Sequence, residues 1–357
     1  MPHPIVKTVD DAGCFSYVVG CRSSGEALLI DPKVGKEASY ADLLQRYGLR
    51  ATLQVDTHTH ADHLSASSRY LEQGVPLAMA AGTGVEREHR ALREGDEVRV
   101  GELCFRVLEV PGHTSDSIAL VGEGCAFTGD SLLIGGLGRA DFRGSDPALL
   151  FASVSNKLMS LADGTLVFPG HGYDGILFST IGTERERNEA LQHADGAAYA
   201  AALAVVEGAG NTPEVDAALA MNLEPSPELP EAPPNVTACS AGAPSRDPRD
   251  LVPETTAEEH RDDHAALGAA GRWIDVREPW EYAEGHVPGA RSVPLSELGF
   301  RLDELRGEGS LIVGCRSGGR SLSAAKTLRR LGVAETVNLT GGQLRWDQLG
   351  LPVEAGS

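Results

Sequence analysis

The sequence predicts an α/β protein that is built as two domains. Short apolar segments alternate with segments of helical periodicity in both halves of the chain, which predicts a layered sheet in each half. Prolines recur between Glu224 and Pro253, and proline interrupts both helices and central strands. All three tryptophans follow this stretch, so we expect the second half to have its own core. The predicted domains are residues 1–240 and 255–357, joined by a linker at 241–254.

The composition argues against two classes of partner. The 357 residues contain 31 Lys and Arg against 51 Asp and Glu, and this charge of −20 repels nucleic-acid phosphates and anionic lipids. No segment approaches the roughly 18 apolar residues of a membrane span, and the N-terminus lacks the pattern of a signal peptide. The six cysteines include no CxxC pair, which favours reduced thiols. We expect a cytoplasmic protein that acts on small molecules, and the composition is compatible with a homo-oligomer.

The first domain opens with strands that lead to a cluster of potential metal ligands. Strands at 14–19 and 27–30 are predicted to form a hairpin at the start of a sheet, and a helix is predicted at 37–48. The apolar run 51–55 then leads into the heptapeptide THTHADH at 57–63. Its metal-ligand types are His58, His60, Asp62 and His63. Three imidazoles and a carboxylate are costly to bury without a cation, so the heptapeptide predicts a metal site.

Three later strands of the first domain each end at one further ligand type. The segment 97–112 has the pattern of two antiparallel strands and leads to His113, 125–128 leads to Asp130, and 165–168 leads to His171. Strand ends feed loops on one edge of a layered α/β protein, so we expect these side chains to join the heptapeptide. Helices are also predicted at 65–73, 184–206 and 213–221.

These residues resemble the metallo-β-lactamase superfamily, whose fold is an αββα sandwich with its metal site at one edge of two sheets. Within the superfamily, the run Gly138–Phe142 (GRADF) and the run Pro169–Tyr173 (PGHGY) are similar to the persulfide dioxygenases rather than to glyoxalase II. Ala140 and Gly172 depart from the usual pattern of these runs and affect the substrate pocket. The resemblance covers residues 1 to about 240.

The ligand count fits two metal arrangements. A dinuclear zinc hydrolase would use His58, His60, His113 and Asp130 for one ion, and Asp62, His63, His171 and the shared Asp130 for the other. The persulfide dioxygenases, by resemblance, bind one Fe(II) per chain through His58, His113 and Asp130, a facial triad that leaves three coordination positions open. In that arrangement the surrounding residues that orient ligands or move protons are His60, Asp62, His63 and His171.

The same resemblance implies glutathione as a co-substrate and product. Arg139 lies on a glycine-flanked loop close in sequence to Asp130, and its guanidinium is suited to bind a glutathione carboxylate through two hydrogen bonds. Tyr173, two residues after His171, is expected to form a hydrogen-bonding wall of the same pocket. Both residues are therefore predicted to bind substrate.

The second domain has the pattern of a small parallel α/β sheet. Strands are predicted at 272–276 and 310–313, and helices around 279–282 and at 324–331. The strand 310–313 leads into the loop Cys315, Arg316, Ser317, Gly318, Gly319, Arg320 and Ser321. Backbone N–H groups, a helix N-terminus and two arginines favour a thiolate at the cysteine that opens this loop.

This loop resembles the rhodanese family, together with Asp275-Val276-Arg277 and the turn Gly285–Ala290. The resemblance covers residues 255 to 357. It implies that Cys315 carries a persulfide between a sulfur donor and a thiol or sulfite acceptor. His286 is expected to be a turn residue.

The two resemblances together imply one function. The first domain would oxidise glutathione persulfide with dioxygen to sulfite and glutathione, and the second would transfer sulfur among glutathione persulfide, sulfite and thiosulfate. One alternative is a dizinc thioester hydrolase of the glyoxalase II type with a rhodanese module. Another is a non-catalytic sulfur carrier or persulfide sensor.

Overall fold

The computed structural model of the chain divides into two compact units. It describes residues 3–142, 144–204, 213–224, 251–263, 266, 268, 270–307, 309–333 and 335–356. Unit 1 comprises Met1–Tyr173 and Thr180–Ala243, and unit 2 comprises Asp174–Ser179 and Pro244–Ser357. Most of the predicted linker 241–254 and its border with the first domain lie outside the described residues, so the domain bounds stay predictions.

Unit 1 contains two mixed sheets. Its strands are β1 Ile5–Asp11, β2 Cys14–Gly20, β3 Glu26–Ile30, β4 Arg50–Val55, β5 Leu77–Ala80, β6 Arg90–Leu92, β7 Glu97–Val100, β8 Leu103–Glu109, β9 Ile118–Gly122, β10 Cys125–Gly129, β11 Leu132–Leu133, β12 Gly136–Leu137, β13 Leu166–Pro169 and β14 Ser179–Thr180. The first sheet has the order β1-β2-β3-β4-β5-β6, and the second has the order β14-β13-β10-β9-β8-β7. Strands β11 and β12 pair separately as an antiparallel ribbon.

Helices cover the outer face of each sheet. They are α1 Glu37–Tyr47, α2 Ser67–Glu72, α3 Pro147–Asn156, α4 Ile181–Arg187, α5 Gly196–Leu203 and α6 Pro213–Leu223, with short 3₁₀ helices at Leu158–Ser160 and Glu189–Gln192. Tyr40 of α1 packs with Leu29 of the first sheet, and Leu150 of α3 packs with Val167 of the second. Tyr17 on β2 meets Phe127 on β10 with ring centroids 5.2 Å apart. This layering is the predicted αββα sandwich.

The stretch 184–206 is helical as predicted but interrupted, and residues 205–206 lie outside the described residues. The backbone is extended at Asn188 and again at Asp195. Each of these two side chains caps the helical segment that follows it. Asn188 accepts a hydrogen bond from the Ala190 N–H, and Asp195 accepts one from the Ala198 N–H. Short polar side chains of this kind compete with the helical hydrogen bonds of the backbone, which breaks the segment into three pieces.

The predicted hairpin at 14–19 and 27–30 is present, but it does not start the sheet. Strand β1 precedes it and pairs antiparallel with β2. Lys7 in the middle of β1 hides the strand pattern in the sequence. Its ammonium lies 4.6 Å from the centre of the Tyr47 ring, and the residue is only 6% exposed. An aromatic ring can accept a cation in this way, so a lysine is tolerated at a buried strand position.

Unit 2 is a five-stranded parallel sheet with helices, as predicted. Its strands are β15 Glu254–Thr256, β16 Trp273–Asp275, β17 Arg291–Ser292, β18 Leu311–Gly314 and β19 Thr336–Thr340, in the order β15-β19-β18-β16-β17. Its helices are α7 Pro279–Glu284, α8 Leu295–Leu298, α9 Leu302–Arg306, α10 Gly319–Arg330 and α11 Gly342–Gln348, with a 3₁₀ helix at Gly299–Arg301. Trp273 and Trp346 pack edge to face at 5.7 Å in its core.

Within the described ranges, no helix combines the length and the apolar character that a membrane crossing requires.

Candidate metal and sulfur-transfer sites

Strand ends bring two histidines and an aspartate together in unit 1. His58 follows β4, His113 follows β8 and Asp130 follows β10. One potential ligand atom from each of the three lies within 4.8 Å of the other two. All three side chains are buried, with at most 4% of each residue exposed. The structure therefore assembles the three residues that the sequence singled out as a facial triad.

The Thr57 hydroxyl fixes which nitrogen of His58 carries the proton. Thr57 donates its hydroxyl proton to Asp31 Oδ2 at 2.8 Å, so its oxygen accepts from His58 Nδ1 at 3.0 Å. This leaves the lone pair on His58 Nε2, a buried atom without a hydrogen-bond partner in the described chain. Burial lowers the pKa of His58 to about 3, which keeps the imidazole neutral. A buried, unpartnered imidazole nitrogen fits a metal ligand.

The other two members of the triad are oriented in the same manner. His113 Nδ1 donates to the Arg139 carbonyl oxygen at 2.7 Å, which leaves His113 Nε2 free, 3.7 Å from Asp130 Oδ2. Asp130 Oδ1 accepts from His171 Nδ1 at 2.8 Å. Burial alone would raise the pKa of Asp130, but the charge and hydrogen bond of His171 hold it well below its usual range. Two imidazole nitrogens and one carboxylate fit a divalent transition metal and are typical of non-haem iron sites.

Asp31 supports two histidines of the heptapeptide at once. It accepts from the Thr57 N–H at 2.6 Å and from His60 Nε2 at 3.1 Å, in addition to the Thr57 hydroxyl. Its backbone has a φ of 51°, in the left-handed region. Burial lowers the pKa of His60 to about 4, so His60 also stays neutral. Asp31 therefore positions His58 through Thr57 and positions His60 directly.

His171 lies between two carboxylates. Its Nε2 donates to Asp62 Oδ2 at 3.1 Å while its Nδ1 donates to Asp130. Burial would lower the pKa of His171, but Asp130 is the main group that raises it well above its usual range. His63 Nδ1 donates to the same oxygen of Asp62 at 3.1 Å. His171 thus links Asp62 to the triad through hydrogen bonds.

Cys14 is a site residue that the sequence analysis did not single out. Its thiol donates to Asp62 Oδ2 at 3.5 Å and lies 3.6 Å from His63 Nδ1. Burial and the Asp62 charge would raise the pKa of the Cys14 thiol, but the positive charges of His63 and His171 lower it on balance. Cys14, Asp62 and His63 also offer ligand atoms within 4.8 Å of one another. The geometry therefore leaves room for a second cation.

A second missed residue is Asp116, which ties the heptapeptide to the loop of His113. Its carboxylate accepts from the Thr59 N–H at 3.1 Å and from the Thr59 hydroxyl at 2.5 Å. Asp116 is only 6% exposed. The available signal in the sequence was an aspartate three residues after the candidate ligand His113.

The two predicted substrate residues lie beside the triad. A small cavity is lined by Asp62, His113, Thr114, Arg139, Phe142 and Val215. Arg139 is already held by Asp141, through Nε to Oδ1 at 2.8 Å and Nη2 to Oδ2 at 3.2 Å. A substrate carboxylate would have to share or displace that partner. Tyr173 does not line this cavity; its ring stacks on His171 at 6.0 Å between centroids.

The cysteine loop of unit 2 follows the central strand of its sheet. Cys315 comes directly after β18 and is 2% exposed. Its sulfur accepts from the Gly318 N–H at 3.1 Å and lies 3.3 Å from Ser321 Oγ. Gly318 has a φ of 100°, a conformation that glycine adopts without strain, and α10 begins at the next residue. The loop therefore places one backbone N–H and one hydroxyl within hydrogen-bond distance of the sulfur.

The two arginines of the loop have different surroundings. Arg320 forms two hydrogen bonds of 2.7 Å with the carboxylate of Glu281, and this partner raises the pKa of Arg320. The Arg316 side chain is exposed and makes no hydrogen bond or ion pair with the described residues. Of the two guanidinium groups, only that of Arg316 is therefore free to attract an anion. Ser317 and Gly319 of the same loop are also exposed.

His286 lies outside the loop. It donates from Nδ1 to the Tyr282 carbonyl at 2.9 Å, as suits a turn residue.

Comparisons with known proteins find relatives of two different kinds. A family model described as "Rhodanese-like domain" matches residues 256–349. "Persulfide dioxygenase ETHE1, mitochondrial" of Homo sapiens is 36% identical over 181 residues, which are 50% of this chain and 71% of the relative. "Hydroxyacylglutathione hydrolase" of Xanthomonas campestris pv. campestris (strain B100) is 38% identical over 154 residues, 42% of this chain and 58% of the relative.

Solved structures agree with the predicted fold. The crystal structure of ETHE1 from Myxococcus xanthus has a TM-score of 0.58 and 33% identity, and the match covers 61% of this chain and 97% of that one. A metallo-β-lactamase from Staphylococcus aureus subsp. aureus COL also has a TM-score of 0.58, at 21% identity, over 95% of this chain and 99% of its own. The second match bears on the fold alone. The predicted fold class, a metallo-β-lactamase-like sandwich followed by a rhodanese domain, is confirmed.

Proposed function

The chain belongs to the persulfide dioxygenase family and carries a rhodanese-like domain, and on that premise we propose that it has two linked sulfur activities. Unit 1 oxidises glutathione persulfide with dioxygen and water to glutathione and sulfite. Unit 2 transfers sulfane sulfur among glutathione persulfide, sulfite and thiosulfate through Cys315. Both activities handle the same class of compound, a sulfur atom bound to sulfur.

The observation that carries the first activity is the triad of His58, His113 and Asp130. We propose that these residues hold one Fe(II) per chain, and the orphaned, buried His58 Nε2 supports that role. Iron bound there would supply the redox chemistry with dioxygen that zinc cannot supply. A 2-His-1-carboxylate set leaves room for two reactants beside the ion, which a closed four-ligand structural site does not.

The residues around the triad have positioning and proton-holding roles in this proposal. His171 donates hydrogen bonds to both Asp62 and Asp130. Asp130 Oδ1 is therefore occupied by His171, and Asp130 Oδ2 faces His113. The reaction takes glutathione persulfide, dioxygen and water to glutathione and sulfurous acid, and the acid then releases its protons. The Nε2–H of His171 and the carboxylate of Asp62 are groups that can exchange those protons.

The second activity depends on the Cys315 thiolate. It attacks the outer sulfur of the donor, so that a new sulfur–sulfur bond forms at Cys315 while the donor's own bond breaks. The donor leaves as glutathione thiolate or sulfite, and no net oxidation occurs. The acceptor then attacks the terminal sulfur and regenerates the thiolate. The Gly318 N–H and the exposed Arg316 guanidinium favour anionic sulfur at this position.

Metal content and oxygen uptake test the first activity. Protein purified without oxygen should contain about one iron per chain and consume dioxygen only when glutathione persulfide is present. The variant His113→Ala should lose both properties, whereas His89→Ala, a histidine outside the site, should keep them. Oxygen uptake that persists in iron-free protein would rule out this proposal.

A dizinc thioester hydrolase is a second candidate, and two observations favour it. A hydroxyacylglutathione hydrolase is among the relatives, and Cys14, Asp62 and His63 offer a second set of ligand atoms beside the triad. Two zinc ions per chain and cleavage of a glutathione thioester without oxygen would replace the dioxygenase proposal with this one. If neither His113→Ala nor Cys315→Ser changes any catalytic activity, only a sulfur carrier or sensor is left.

A further inference from the structure

We propose that Asn338 is a positioning residue, which decides through Ser321 whether the sulfur of Cys315 receives a second hydrogen bond. This inference rests on the proposed sulfur transfer in unit 2. It adds a residue that lies outside the cysteine loop in the sequence and does not contact the sulfur itself. Asn338 would act on the thiolate through one hydroxyl proton.

Asn338 lies next to the loop because of the parallel sheet. It is on β19 and pairs with Val313 of β18, two residues before Cys315. Asn338 is 2% exposed, and Ser321, in the first turn of α10, is fully buried. Asn338 Oδ1 lies 2.7 Å from Ser321 Oγ. A polar side chain buried on a strand needs a hydrogen-bond partner, and Ser321 is that partner.

The hydroxyl of Ser321 has more acceptors than protons. Its oxygen lies 2.7 Å from Asn338 Oδ1, 3.1 Å from the Gly318 carbonyl and 3.3 Å from Cys315 Sγ. A hydroxyl has one proton, so it can donate to one of the three at a time. With the amide oxygen of Asn338 facing Ser321, the proton goes to that oxygen at the shortest distance. The sulfur then keeps only the Gly318 N–H.

Rotation of the Asn338 amide reverses this outcome. The amide oxygen and nitrogen have nearly the same shape, so the same space accommodates either group next to Ser321. With Nδ2 facing Ser321, Asn338 donates to the hydroxyl oxygen and the hydroxyl proton is free for Cys315. A thiolate then receives two hydrogen bonds, from the Gly318 N–H and from the Ser321 hydroxyl.

The demand for that proton changes during sulfur transfer. Before the attack, the charge is on Cys315 Sγ, and a donated hydrogen bond stabilises it. After the attack, Sγ is the inner atom of a persulfide and carries no formal charge, so the Ser321 proton can return to Asn338. An amide can serve both states, whereas a side chain that only accepts holds the Ser321 proton away from the thiolate.

Thr336 provides a matched control on the same strand. Its hydroxyl donates to the Ala325 carbonyl of α10 at 3.1 Å, and the residue is fully buried. It therefore joins β19 to α10 as Asn338 does, but it has no contact with Ser321 or Cys315. A merely structural role for Asn338 predicts the same behaviour for both positions.

The experiment measures the rate of Cys315 alkylation by iodoacetamide against pH, with the labelled peptide quantified by mass spectrometry. The full chain is compared with Asn338→Leu, Ser321→Ala, the double variant and Thr336→Val. We expect Ser321→Ala to move the midpoint to higher pH and to slow alkylation about tenfold at pH 7, the scale of one hydrogen bond to a charged group. Asn338→Leu removes the oxygen that competes for the Ser321 proton, so its midpoint should not rise. The double variant should match Ser321→Ala, and Thr336→Val should leave the midpoint unchanged.

Asn338→Asp provides a second polar variant that keeps a partner for Ser321. Its carboxylate only accepts, so it should retain the fold and move the midpoint to higher pH. A wild-type midpoint in Asn338→Asp or Ser321→Ala, or a midpoint in Asn338→Leu raised as far as that of Ser321→Ala, would overturn the inference. Alkylation needs no sulfur donor, so these results do not depend on the proposed transfer activity. That activity fails separately if Cys315→Ser still transfers sulfur.

Discussion

At the residue scale, the hydroxyl of Thr57 determines how His58 can bind a metal. It connects His58 Nδ1 to Asp31, and this relay keeps the lone pair on Nε2. Thr57→Val preserves the shape of the side chain but removes the relay, so both tautomers of His58 become accessible. We expect about 10- to 100-fold weaker metal binding, as is typical when a hydrogen-bond partner of a metal ligand is lost. Competition with a chelator, followed by metal analysis, measures this change.

Thr52→Val is the matched control for that variant. Thr52 lies on β4, the strand that leads to the heptapeptide, and it is only partly buried. The metal affinity of the Thr52→Val variant should equal that of the unmodified chain. Equal affinities for Thr57→Val and Thr52→Val would show that the relay does not orient His58.

The ion pair between Arg139 and Asp141 predicts a change in substrate affinity. Asp141 holds the guanidinium that we propose for the glutathione carboxylate. Asp141→Asn removes the competing charge, so KM for glutathione persulfide should fall several-fold while kcat stays the same. Arg139→Ala should raise KM. Steady-state kinetics distinguish these outcomes, and an unchanged KM in both variants would exclude Arg139 from the substrate site.

At the element scale, the residue that follows β13 must be glycine because Asp130 approaches it closely. A Cβ on Gly170 would lie 2.4 Å from Asp130 Oδ1, closer than atoms can approach. Gly170→Ala should therefore displace the carboxylate and reduce metal occupancy several-fold. Gly164, just before the same strand, has open space around its Cα, so Gly164→Ala is the control. Metal content and thermal stability of the two variants, measured side by side, check this prediction.

Most strands near the site could be predicted because each has an apolar run that stops at glycine or proline. This is why the sequence places His113, Asp130 and His171 at strand ends, as the structure does. The helix predicted at 184–206 is interrupted because two side chains cap new helical segments within the stretch. The apolar periodicity alone does not show these interruptions. Strand β1 was missed because Lys7 interrupts its apolar alternation, and only the structure shows that the Lys7 ammonium lies over an aromatic ring.

Contacts that join distant parts of the chain could not be predicted from local patterns. Cys14 is 48 residues from Asp62, and Asn338 is 17 residues from Ser321. Neither pair belongs to a motif, and only the order of strands in each sheet brings them together. Metal-ligand residue types at strand ends supplied the candidate ligands, and the resemblance to known families selected three of them, whereas the hydrogen bonds that orient them required the structure.

At the scale of the whole molecule, the two proposed activities depend on separate cores. Buried hydrophobic clusters of unit 1 contain Tyr40 and Leu150, and that of unit 2 contains Trp273 and Trp346. His113→Ala should abolish oxygen uptake and leave sulfur transfer intact, and Cys315→Ser should do the reverse. Removal of the metal should lower the melting temperature of one calorimetric transition only, because binding stabilises the unit that holds the ion. Loss of both activities in either variant would contradict separate sites.

Asp31 combines a backbone requirement with a side-chain requirement, and together they restrict which amino acids the position can tolerate. Its left-handed φ is most readily adopted by Gly, Asn and Asp. Its side chain accepts three hydrogen bonds, which glycine cannot do and which asparagine, with one oxygen, does poorly. Aspartate alone satisfies both requirements. In a library of all single substitutions selected for metal binding, position 31 should therefore be among the least permissive, although Asp31 is not one of the three proposed iron ligands.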